Sequence, residues 1–270
     1  MNPLDVRHVV AVARRELKTT TRSSGTVVLF GGLAAILLGF TWIGEGHAAG
    51  FAPTVVDLLT PVELLVPLIA YAIGYRVFVA DRKRGELPIH STLPVSRGSV
   101  VLGTFIGRGA VLALGVAAAA LPALCLVLLS GDGVNPLYAA QRGADSPLLF
   151  LRFVAVATLL ALCALALALA VSAVATSAKG AVGLSLGFWA VSATGADALA
   201  LAALRLGLLG TEMLPTAVVL GPGGAYRGLV FATVLDAATA GTAAVAPSVG
   251  VLALFGWTAA GLTLASAMLW

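Results

Sequence analysis

Six long apolar blocks, nearly free of charge, constrain this chain more than any other feature. They run over about 26–44, 62–80, 100–130, 148–176, 181–203 and 248–270. A bilayer core needs roughly 20 consecutive apolar residues from a crossing helix, and lipid offers no partner for an unpaired backbone group. Such blocks must therefore become helices. The sequence predicts an all-α polytopic membrane protein of six transmembrane helices, folded as a single membrane domain over 1–270. Composition agrees: 60% of residues are hydrophobic and 10% charged, with a mean hydropathy of +1.04. Soluble domains carry about 25% charged residues, and a chain this poor in charge could not cover a water-facing surface. The first block starts near Thr26, behind Arg7, Arg14, Arg15 and Lys18. A cleavable signal has its apolar core nearer the start, so this block is expected to be a retained span.

Basic residues orient the spans, because cytoplasmic flanks hold the excess of Lys and Arg. With six crossings, one side holds both termini and the 81–99 loop. That side has Arg7, Arg14, Arg15, Lys18, Arg22, Arg76, Arg82, Lys83, Arg84, Arg97, Arg108 and Lys179. The other has Arg142, Arg152, Arg205 and Arg227, together with most carboxylates: Glu45, Asp57, Glu63, Asp132, Asp145, Asp197, Glu212 and Asp236. Both termini are expected in the cytoplasm. Arg76 and Arg108, near cytoplasmic span ends, are expected to snorkel to the headgroups. The segment 204–247 is rich in Gly, Ala and Pro, and its apolar stretches are too short to span singly. It is expected to form re-entrant or interfacial helices on the outer face; one extra span there would move the C-terminus outside.

The first 24 residues are predicted to form an amphipathic helix. Val6, Val9, Val10, Ala13 and Leu17 share one face, beside Arg7, Arg14 and Lys18. Such a helix lies in the headgroup plane of membrane lipid. The 81–99 loop carries Asp81, Arg82, Lys83, Arg84, Gly85 and Glu86. Apolar Leu87, Ile89 and Leu93 follow, and Pro94 breaks the run. Exposed apolar residues flanked by dense charge mark a docking element for another protein.

These stretches resemble ABC-2 type exporter permeases. Their first helix often reads like Arg14-Arg15-Glu16-Leu17-Lys18 followed by Arg22. After the second span they carry a run similar to Asp81-Arg82-Lys83-Arg84-Gly85-Glu86, then Leu93-Pro94-Val95-Ser96-Arg97. Pro222-Gly-Gly-Ala-Tyr226-Arg227 is similar to the NosY-like group, which accompanies nitrous oxide reductase maturation. The sequence departs from the family at Glu86-Leu87-Pro88, where Thr-Leu-Glu is usual. The resemblance implies six spans and cytoplasmic termini. It also implies a separate ATPase docking at Asp81, Arg82, Arg84, Gly85, Glu86, Leu87, Ile89, Leu93 and Pro94, and a permease homodimer.

No nucleotide site is expected in this chain. A P-loop needs Gly-Lys-Ser/Thr, and Lys18, Lys83 and Lys179 each follow another residue. His8, His47 and His90 have no metal-ligand spacing, and Cys125 and Cys163 form no C-x-x-C pair. No cofactor, metal, catalytic residue or nucleic-acid partner is expected. Gly103-x-x-x-Gly107 and Gly183-x-x-x-Gly187 allow close helix approach, and Gly183 and Gly187 are the candidate dimer contact. The competing reading is a non-transporting membrane scaffold or enzyme subunit.

Overall fold

The structure, a computed structural model, describes residues 6–83, 96–130, 145–235 and 245–269. Its elements are α1 (Val6–Thr21), α2 (Ser24–Ile43), α3 (Gly46–Ala49), α4 (Phe51–Gly74), α5 (Val77–Lys83), α6 (Arg97–Ser130), α7 (Pro147–Val174), α8 (Ala178–Ala190), α9 (Ala196–Arg205), α10 (Leu214–Val219), α11 (Pro222–Val230) and α12 (Pro247–Met268). Two π-helical turns, Val191–Gly195 and Phe231–Leu235, join α8 to α9 and follow α11.

Among the described residues, six helical stretches are long and apolar enough to cross a membrane: Ser24–Ile43, Phe51–Arg82, Arg97–Ser130, Pro147–Val174, Ala178–Arg205 and Pro247–Met268. A seventh candidate is a pair, Thr211–Val219 and Pro222–Leu235, bent by 102° at its break. The second stretch begins well before the expected residue 62. Asp145 explains its start. Its carboxylate accepts from the N–H groups of Phe51 and Ala52, both at 2.8 Å, supplying from a distant segment the cap that a helix N-terminus lacks. Gly50, at φ +124°, turns the chain into that cap, a conformation natural to glycine.

The bundle is built around α7, whose Leu160, Ala161, Leu165, Ala168 and Leu169 are almost fully buried. Helices α4, α6 and α12 pack on it. Its alanines let backbones approach closely, the packing mode that replaces the hydrophobic effect in lipid. Outward-facing side chains such as Val28, Phe40, Leu114, Leu186 and Leu252 are exposed and apolar, as a lipid-facing surface requires.

Helix α1 lies along α6. A Cβ on Gly103 would come within 2.6 Å of Val12 Cβ, and one on Gly107 within 2.8 Å of Glu16 Cβ. The first Gly-x-x-x-Gly is therefore consumed inside the chain. The expected apolar face of α1 divides. Val9 and Ala13 turn toward the bundle and are half-buried, while Val6, Val10 and Leu17 stay exposed. Beside that exposed stripe stand Arg7, Arg14 and Lys18.

Candidate functional site

Among the described residues, two junctions bring buried charges of distant helices together. The first lies where α4 ends and the 81–97 loop begins. A helix C-terminus leaves its last carbonyls without intrahelical donors. At the end of α4, the Ile73 carbonyl accepts from Arg108 Nη1 of α6. Arg108 Nε in turn donates to Glu16 Oε2 of α1 at 2.7 Å, with side chains only 21% and 12% exposed. One guanidinium thus ties α1, α4 and α6 together. The Arg108 guanidinium is held between α1 and α4. A carboxylate and a free carbonyl give two of its donors directed partners that hydrocarbon does not offer.

The loop's first stem is fixed as firmly. The chain breaks at Tyr75–Arg76 and resumes as α5, whose early N–H groups need outside acceptors. Ser172 Oγ of α7, fully buried, accepts from the Phe78 N–H at 3.0 Å. Arg82 donates from Nη1 to the Ala175 carbonyl at 2.7 Å and from Nη2 to the Ala173 carbonyl at 3.0 Å. Those are the orphan carbonyls at the end of α7, where the helix dipole also favours a cation. Val79, Ala175 and Ala181 close over this contact in a small apolar cluster. At the second stem, Arg97 opens α6 and its Nη1 lies 3.5 Å from the Ala267 carbonyl of α12.

The second junction joins α4, α9 and α11. Arg227 Nη1 donates to Glu63 Oε1 at 2.6 Å, and Nη2 donates to Asp197 Oδ2. Glu63 is 7% exposed in its side chain and Arg227 28%. Close by, the Tyr226 hydroxyl donates to the Leu59 carbonyl at 3.4 Å and Trp189 Nε1 to the Leu64 carbonyl at 2.9 Å. Glu63 also lines a narrow recess with Pro67, Ser192, Ala193, Pro222 and Gly223. A Cβ on Gly223 would meet Glu63 Oε1 at 2.7 Å and the Ala193 carbonyl at 2.8 Å, so only glycine lets α11 come this near.

Of the sequence-predicted residues, Asp81 and Arg82 close α5. Arg84, Gly85, Glu86, Leu87, Ile89, Leu93 and Pro94 lie outside the described residues. Arg14, Arg15 and Lys18 are exposed on α1, while Glu16 is drawn into the first junction. A Cβ on Gly183 or Gly187 would meet nothing within 4 Å. The sequence placed Glu63 and Asp197 among the carboxylates of the outer side and gave no sign of their meeting with Arg227. One signal was available. Glu63 is the single charge in the run from Leu58 to Tyr75, and an ionisable residue inside a span implies a partner.

The sequence model of the "ABC-2 family transporter protein" matches residues 7–269. The chain is 34% identical over 275 residues to "Probable ABC transporter permease protein NosY" of Pseudomonas aeruginosa, covering 95% of this chain and 96% of that protein. It is 31% identical over 228 residues to the protein of the same name from Stutzerimonas stutzeri, covering 80% and 78%. A six-helix membrane bundle that aligns with such permeases over nearly its whole length leaves one conclusion, that this chain belongs to the ABC-2 transporter family as a NosY-like permease subunit.

Proposed function

We propose that this chain is the membrane half of a two-component machine, a homodimer on which a separate cytoplasmic ABC-type ATPase docks. ATP closes the ATPase pair, loop 81–97 carries that motion to the spans, and the spans change access between the two sides. The output is export or a conformational signal, in the maturation of a copper enzyme, nitrous oxide reductase. Asp81, Arg84 and Glu86 steer docking and Leu87, Ile89 and Leu93 provide desolvated anchors, while Arg82 holds the stem through the Ala173 and Ala175 carbonyls. Helix α1 lies in the cytoplasmic headgroup layer, with Val6, Val10 and Leu17 in lipid and Arg14, Arg15 and Lys18 toward anionic phosphates. The bent pair 211–235 is re-entrant from the outer face. Gly183 and Gly187 are where a second copy packs.

The observation that carries this reading is the anchoring of the loop's first stem. Arg82 and Ser172 bolt α5 onto the end of α7, the central helix of the bundle. A push on the loop would reach α7 directly, and α7 touches α4, α6 and α12. An idle surface loop needs no such attachment.

The test is to change Leu87 and Ile89 together to Asp. The variant is expected to insert normally but to lose co-purification of the ATPase and any effect on its turnover. An ATPase that still co-purifies and responds normally would remove the loop from the docking surface.

A further inference from the structure

The Glu63–Arg227–Asp197 junction has a part that docking does not use. Two carboxylates share one guanidinium, in three segments far apart in sequence, inside a largely apolar bundle. Burying these groups is costly and a structural core could do without them. What they hold is asymmetric. The apolar side of α11 packs on α7 and α12: Tyr226, Leu229 and Val230 are fully buried, and the Tyr226 ring stands 6.4 Å from that of Phe153. The side toward α4 and α9 approaches through glycines, Gly221 against Ala196 and Gly223 against Glu63 and Ala193. The polar links described across it are Arg227 to its two carboxylates and a long 3.4 Å bond from Tyr226 to Leu59. Between the two sides lies the recess, with Pro222 and Gly223 as one wall, Glu63 and Ala193 as others, and Leu160, Ala164 and Leu167 of α7 behind. Both π-helical turns adjoin the junction, Val191–Gly195 just before Asp197 and Phe231–Leu235 just after α11. Such turns mark points where a helix can change register, often at functional sites.

We propose that Arg227 is a positioning residue that latches α11 over this recess, and that release of its two carboxylates lets α11 slide on α7 away from α4 and α9 and opens the recess to water. The latch suits reversible use. An ion pair to two carboxylates is directional and breaks over a short displacement, whereas apolar packing on α7 and α12 slides and persists. The proposal is independent of ATPase docking, and its test compares variants with no nucleotide added.

The probe is a cysteine at Ala193, a buried wall of the recess, in a chain whose Cys125 and Cys163 are changed to Ala. A membrane-impermeant maleimide is applied to intact cells and to inverted vesicles, and the initial labelling rate is measured. With Arg227 intact, labelling is slow from both sides. Arg227→Gln is expected to raise it on one side by on the order of tenfold, the ratio that about 1.4 kcal/mol of lost latching produces. Arg227→Lys, which keeps the charge but loses the fork, should fall between. If Arg227→Gln fails to insert, Asp197→Asn and Glu63→Gln each remove one hold and should each raise labelling. Unchanged labelling in the inserted variants, or a rise equal on both sides, overturns the latch.

Discussion

Glu16 and Arg108 show what one charged pair does in this chain. Each was legible as a member of the basic-rich, N-terminal side, yet neither revealed a partner, because residues 16 and 108 meet only after α1 folds back along α6. Their side chains are mostly buried, so breaking the pair leaves one uncompensated charge, which typically costs about 3–5 kcal/mol. Glu16→Gln and Arg108→Gln should each lower the thermal midpoint of the detergent-solubilised protein. The double variant should lose clearly less than the sum of the two, since the second change removes a charge already stranded. Thermal unfolding of the four proteins measures this. Strictly additive losses would mean that the pair contributes nothing as a pair. Glu63 teaches the complementary lesson. Its position within an apolar run was visible, but its partner, Arg227, lies on a helix that pattern alone described as too short to span.

At the scale of elements, the two Gly-x-x-x-Gly motifs look alike in sequence and are opposite in use. Gly103 and Gly107 receive α1 inside one chain, while the positions above Gly183 and Gly187 are open. Periodicity identifies a surface for close approach but not which helix arrives, because that depends on connections elsewhere. The two motifs therefore predict different failures. Gly103→Leu with Gly107→Leu overpacks α6 against α1 and should release the N-terminal helix. Trypsin should then cut faster at Arg14, Arg15 or Lys18. Gly183→Leu with Gly187→Leu should leave that cleavage unchanged and weaken self-association in detergent. Limited proteolysis and light scattering on both variants separate these outcomes; accelerated cleavage in the second would place its effect within the chain. Helix α4 makes the same point about boundaries. Its apolar block suggested a start near 62, but Asp145 caps it at Phe51, and a cap contributed from 93 residues away leaves no local trace.

For the whole molecule, topology turns on the bent pair. With six full crossings and a re-entrant 211–235, a reporter fused after Trp270 should be cytoplasmic, on the side of the N-terminus. A signal from the opposite side would make the pair a seventh, broken span. The all-helical architecture and its six candidate spans followed from composition and block length. Lipid enforces internal hydrogen bonding so strictly that a long apolar run has one local solution. The positions of the charges within the bundle did not follow. Which acceptors Arg108 finds, whether Glu63 meets Arg227, and which glycines are covered are decided by how helices distant in sequence pack. Hydropathy is a property of single segments, whereas an ion pair or a close helix contact belongs to two of them and exists only once the tertiary fold brings them together.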